Sequence, residues 1–214
     1  DKSVHESVAK ANAKYYKPEY NPQTRKTYYD DGKAHKRAID RAFSEKSTAK
    51  DPYTGAELVK KQKDAKAKYG TKWQDHAAEA DHIDPLSQFI KRHKNDPFLT
   101  TDDAKNIGNS DENFQVISRK SNQNSKDVGK GGSTQKEWAS DDKRMEGLAE
   151  NAESGESIEV IKERIETKGK NAEQRNDSAA LKKNVTNAAG TAHQAGIESA
   201  KSAGSMALTM AGIM

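Results

Sequence analysis

The residues in this sequence whose types and spacing suit chemistry run from Glu79 to Lys126. The stretch opens with Glu79-Ala80-Asp81-His82-Ile83-Asp84-Pro85-Leu86 and closes with Asn113-Phe114-Gln115-Val116-Ile117-Ser118-Arg119-Lys120-Ser121-Asn122-Gln123-Asn124-Ser125-Lys126. An acid beside a histidine, followed about thirty residues later by asparagines among basic residues, is a set that can hold one divalent cation against a phosphodiester. Hydrolysing such a bond takes an activated water, positive charge against the oxygens that become more negative, and a grip on the backbone. A neutral imidazole accepts a proton near neutral pH, which makes His82 the candidate base. Its action should then fail below the ordinary imidazole pKa, near about 6.5. Asp81 offers an anionic oxygen to a metal. Magnesium keeps several of its waters, so one carboxylate and one amide oxygen form a sufficient protein set.

Composition narrows the metal. The chain has 214 residues and no cysteine, which excludes disulfides and thiolate zinc sites. Oxygen and imidazole ligands remain, pointing to magnesium, manganese or a His-rich transition-metal site. With 32% hydrophobic against 33% charged residues, the chain cannot bury a large core throughout, and one compact unit with long solvated helices is expected. Charge is uneven: residues 1–136 carry 27 Lys and Arg against 20 Asp and Glu, while residues 137–214 carry 10 against 13. The basic excess lies with the chemistry-bearing stretch, as a polyanion-binding surface requires, although Lys-rich solvated helices give the same count. The start at Asp1 rather than Met suggests a processed product or a segment of a longer polypeptide. The apolar end, Ala203 to Met214, is shorter than the roughly 20 residues that span a bilayer.

Several elements must position these residues. Val4, Val8, Ala11 and Tyr15 recur at helical spacing until Pro18 and Pro22 interrupt. The tyrosines from Tyr15 to Tyr29 are expected to pack on the next helix, with base stacking as the alternative. That helix follows Gly32 with Ala34, Ala38, Ala42 and Phe43 on one face. Asp51-Pro52-Tyr53-Thr54-Gly55 reads as a turn. Leu58, Gln62, Ala65 and Tyr69 suggest a helix ending at Gly70. Ala80 to Ile83 and Phe114 to Ile117 are strand candidates, and Ser118 can cap a helix through Asn122 to Lys126. Between them, Phe89, Ile90 and His93 suggest a short helix, and Thr101-Asp102-Asp103-Ala104 a helix start. Lys130-Gly131-Gly132-Ser133 reads as a flexible linker and domain boundary. Beyond it Ser157 caps a helix with Ile158, Ile161 and Ile165 in one stripe, ended by Gly169. The Ala-rich stretch from Ala172 onward is expected to pack on another helix or a partner, with no part in the chemistry.

Residues Glu79 to Lys126 resemble the HNH endonuclease family, the ββα-metal nucleases, and in spacing especially the HNH domain of RNA-guided CRISPR nucleases. The likeness rests on Asp81-His82-Ile83-x-Pro85, then Asn113 and Asn122 nine residues apart. It covers about 50 residues directly and Asp51 to Ser133 loosely. The resemblance implies Asp81 as metal-binding acid, His82 as general base, Asn113 as the brace of the loop between the strands and Asn122 as the final metal ligand. Lys126 resembles the basic residue that closes the motif; Arg119 and Lys120 are further candidate phosphate contacts, or else a solvated helix face. Asn124, two residues from Asn122, is an alternative ligand. Relatives often carry paired cysteines around a structural zinc; without cysteine, no structural zinc is expected here, and apolar residues must hold the hairpin.

The expected fold is therefore α+β, a small ββα-metal core at 51–133, flanked by N-terminal helices at 1–50 and a mostly helical region at 134–214 suited to oligomerisation or a protein partner. The expected function is magnesium- or manganese-dependent hydrolysis of DNA with 5′-phosphate and 3′-hydroxyl products. A cytoplasmic enzyme of bacterial or phage context is one setting, and a secreted or delivered effector or toxin segment the other. No membrane span is expected. The alternative from another class is a non-catalytic nucleic-acid-binding or scaffold protein with a helical assembly tail. The five other histidines are expected to be structural or surface residues, with His76 and His93 nearest the site.

Overall fold

A computed structural model describes residues 2–44, 48–123 and 133–211. The order is α1 (Lys2–Tyr15), α2 (Arg25–Tyr28), α3 (Lys33–Ala42), β1 (Ala49–Lys50), β2 (Glu57–Leu58), α4 (Gln62–Tyr69), a 3-10 segment (Gly70–Asp75), β3 (Ala78–His82), α5 (Leu86–His93) and α6 (Thr101–Gly108). A 3-10 turn (Asp111–Asn113), β4 (Phe114–Ser118), α7 (Arg119–Gln123), α8 (Gln135–Ala139), α9 (Asp142–Glu150) and α10 (Ile158–Ala211) follow. The chain is mixed α and β, mostly helical, with two small antiparallel sheets. Among the described residues, no helix is long and apolar enough to cross a membrane.

The sheet of β3 and β4 carries the candidate chemistry, and α7 follows β4 directly. Asp81 pairs with Gln115 and His82 with Phe114 in its register. Successive strand residues face opposite sides, so Ala80, His82, Phe114 and Val116 share one side, and Glu79, Asp81, Gln115 and Ile117 the other. On the first side Phe114, with Ala80 and Val116, packs on Ala34 and Ala38 of α3. On the second, Ile117 joins Tyr53, Trp138, Met145, Leu148, Ile161 and Ile165. The sheet thus lies between an N-terminal helix and the C-terminal region.

Local chemistry explains three of the helix starts. Gly32 adopts a left-handed φ of 76° immediately before α3, a conformation glycine tolerates without strain. The cap of α6 is Thr100, one residue before the expected start, in a reciprocal capping box with Asp103. Ser118 Oγ accepts from Ser121 N at 3.0 Å and so starts α7.

Gly169 does not end a helix. α10, 54 residues in all, runs straight through it, and the missing side chain admits α8: a Cβ there would lie 2.4 Å from the Gln135 Cβ. Nor is the region from Ala172 detached from the site's surroundings. Ala172 and Ala180 are buried, and Asn176, Asp177, Asn184 and Asn187 all bond to the segment between Asp84 and Asp103.

The turn at Asp51 is held by polar contacts as well as apolar ones. Asp51 is buried; its Oδ1 accepts from the amides of Tyr53 (2.7 Å) and Thr54 (3.0 Å), and its Oδ2 from Ser118 N at 2.7 Å. One carboxylate thereby fastens the turn between β1 and β2 to the end of β4.

Candidate functional site

His82 ends β3 with its ring buried against Phe114 (4.3 Å between centroids), His35 (5.0 Å) and Tyr29 (6.0 Å). Its tautomer follows from Asn109, a residue the sequence reading missed. Asn109 Nδ2 donates to the carbonyls of Tyr28 and Lys105, each at 2.8 Å. The amide oxygen is therefore the atom 3.0 Å from His82 Nε2, and Nε2 must carry the hydrogen. The lone pair resides on Nδ1. Burial pushes this imidazole down to about 4, against the opposing hydrogen bond from Asn109. The fall near 6.5 expected of a free imidazole thus does not apply to His82, which is neutral throughout mildly acidic and neutral solution.

Asp81 points to the other side of the sheet at its origin and is held by a chain of side chains. Lys168 Nζ donates to Gln115 Oε1 at 3.2 Å. The Tyr53 hydroxyl lies 2.9 Å from the Oε1 atoms of both Gln115 and Gln135. With its oxygen so engaged, Gln115 turns Nε2 to Asp81 Oδ2, at 2.9 Å. Burial raises the Asp81 carboxyl to about 6, more than the Gln115 hydrogen bond and the Arg144 charge lower it. A desolvated carboxylate gains most from a nearby cation.

Asn122 donates its Nδ2 to Glu79 Oε2 at 2.8 Å. Its amide oxygen is thereby the end left to act as a ligand. Glu79 also accepts from Gln123 at 3.0 Å and from Arg119 at 2.7 Å, so this one acid gathers the residues of α7. The basic residues proposed as phosphate contacts are engaged: Arg119 with Glu79, and Lys120 with Asp75 at 3.1 Å. Lys126 and Asn124 lie outside the described residues.

Asn113 is fully buried. Its Oδ1 accepts from Asp84 N (2.9 Å), and its Nδ2 donates to the carbonyls of Asp84 (2.9 Å) and Gly108 (2.8 Å). The amide is spent on backbone, tying the turn after His82 to the end of α6. Asp84, in the variable position of the motif, is also buried and takes a two-pronged contact from Arg92 (3.0 and 2.6 Å) and one from Asn176 (2.9 Å). Of the other histidines, His35 is the neighbour of the site. His76 instead stacks on Tyr69 at 3.5 Å, and His93 sits between Asp96 and Asp177.

Asp81, His82 and Asn122 line one pocket of about 570 Å³, whose facing residues include Arg25, Tyr29 and His35. No family model, curated protein or solved structure matches the chain. The case for chemistry therefore rests on this pocket. Two oxygens there would suit a divalent cation in chemical type: Asp81 Oδ1, outside the carboxylate's hydrogen bond to Gln115, and the Asn122 amide oxygen, whose nitrogen is committed elsewhere. Among the described residues no group of three or more His, Asp or Glu side chains has metal-site geometry.

Proposed function

We propose that this protein is a divalent-metal-dependent endonuclease of the HNH type, hydrolysing DNA phosphodiester bonds. The observation that supports it best is the convergence of Asp81, His82 and Asn122 on one pocket, with the His82 tautomer set so that Nδ1 is basic. In this reading Nδ1 takes a proton from a water as its oxygen attacks phosphorus. The bond from phosphorus to the 3′ oxygen breaks, and that oxygen leaves and gains a proton, giving 5′-phosphate and 3′-hydroxyl ends. Asp81 and Asn122 would hold magnesium or manganese, which supplies positive charge against the phosphate and leaving oxygens. Asn109 keeps the imidazole in one tautomer, and Asn113 fixes the turn that follows it.

The test is nicking of supercoiled plasmid with magnesium or with EDTA. Nicking in magnesium that EDTA abolishes, and that His82→Ala abolishes while DNA binding persists, is the expected result. Equal nicking by both proteins would overturn the mechanism. Binding with no nicking would favour the non-catalytic alternative.

A further inference from the structure

Part of the pocket's lining comes from residues 20–35, outside the stretch that carries the motif. Arg25 stands out there. Its guanidinium lies 4.5 Å from the Tyr29 ring centroid and donates to the Tyr29 hydroxyl at 3.1 Å. Among the described residues no carboxylate pairs with it, whereas Arg37, Arg41, Arg92, Arg119 and Arg164 each have one. Asp81 is the only acid among the described residues lining the pocket. A guanidinium left without an anion, in a pocket with a candidate hydrolytic centre, is set up to receive one.

Tyr29 makes Arg25 suited to that task. The ring carries the planar cation by stacking and restricts its rotamers, so less freedom is lost when an anion binds. The single bond to Tyr29 leaves most of the fork for a two-pronged contact to phosphate. Tyr29 is itself fixed, stacked on His35 at 5.9 Å and edge-on to His82 at 6.0 Å. With 4.5 Å from guanidinium to Tyr29 and 6.0 Å from Tyr29 to His82, Arg25 lies within about 10.5 Å of the proposed base. That bound keeps Arg25 within reach of a backbone phosphate on a strand held at His82.

We infer that Arg25, seated on Tyr29, binds a backbone phosphate of the strand held at the pocket, and that the N-terminal region thereby positions the substrate strand. The inference rests on the nuclease reading, and the experiment separates the two. The full chain carrying His82→Ala is titrated in EDTA with a fluorescent DNA duplex at several salt concentrations, with and without Arg25→Ala or Arg25→Lys. Arg25→Ala should reduce the salt slope by about one phosphate contact, roughly 0.9, and weaken binding about tenfold, with Arg25→Lys retaining most of the slope. Scanning one neutral methylphosphonate along the strand should find a position that weakens the parent but not the Arg25→Ala protein. With His82 present and magnesium added, Arg25→Ala should raise KM more than it lowers kcat.

An unchanged slope, or equal sensitivity to every methylphosphonate, would overturn the role of Arg25 while leaving nicking, and with it the nuclease reading, intact. A lowered slope in a protein that never nicks would sustain Arg25 as a phosphate contact and overturn the nuclease. Absence of any DNA binding would overturn both. Arg25 is exposed, so its removal should not move the melting temperature, which excludes misfolding as the cause.

Discussion

Asp81 and His82 are neighbours in sequence, yet different sets of residues hold them. On the His82 side the contacts come from α3 and from residues 28–35 and 109: Ala34 and Ala38 under the sheet, Tyr29 and His35 beside the ring, Asn109 on Nε2. On the Asp81 side they come from Tyr53, Gln135 and Lys168, linked through Gln115, with the Arg144 charge added. The first environment is largely aromatic and keeps a base neutral. The second is polar and cationic, and keeps a carboxylate oriented. Side chains alternate along β3, so Asp81 and His82 leave it on opposite faces and each is tuned by its own neighbours, while both line the same pocket.

The largest effect expected on this division is loss of the base. His82→Ala should lower nicking by about 10²–10⁴-fold, the range for a general base, with circular dichroism showing the fold retained. Next comes the fastening between the two sides. Asp51→Ala strands three amides, so denaturant unfolding should show a loss of about 3 kcal/mol, and an undiminished midpoint would refute the role of that carboxylate.

The two neighbours should also respond oppositely to acid. The Asp81 carboxyl is raised to about 6 from 3.8, so the folded state holds its proton more tightly; this residue adds stability as pH falls from above 6 toward 3.8 and costs up to about 3 kcal/mol above that range. His82 is lowered to about 4 from 6.5, so the unfolded chain takes up the proton first; stability is lost as pH falls from 6.5 to 4, by about 3 kcal/mol in full. Between pH 6 and 4 the two largely offset. Asp81→Asn should therefore melt higher than the parent at pH 7.5, lose that advantage toward pH 4, and fail to nick. His82→Asn should instead gain on the parent as the pH falls. Parallel pH profiles for the two variants would contradict the contrast between the faces. The smallest effect is at the α8 contact: Gly169→Ala should cost about 1–3 kcal/mol by driving a methyl into Gln135, measurable as a lower melting temperature.

Much of the arrangement was legible in local pattern. The strands around Asp81 and Phe114 followed from a short strand-like run ended by Pro85 and a brief apolar run before Ser118, and α3 from the spacing of Ala34 and Ala38 after Gly32. Gly169 was misread because a glycine after a helical stripe signals a C-terminus, whereas here it admits a crossing helix, a demand set by a neighbour distant in sequence. The partners of the site were hidden for the same reason. Asn109, Gln115 and Lys168 are ordinary polar residues, and each gains its role from contacts 27 to 53 residues away.

The sequence by itself determined which side-chain types are at hand: an acid and an imidazole side by side, and no thiolate to hold zinc. Those are matters of side-chain type and short spacing. Only the tertiary structure decided which nitrogen of His82 is basic, where its proton affinity lies, which end of Asn122 is open, and that Arg25 shares the pocket. Each depends on desolvation and on hydrogen-bond partners brought together by folding, and neither burial nor a partner across 27 to 53 residues is written in local pattern.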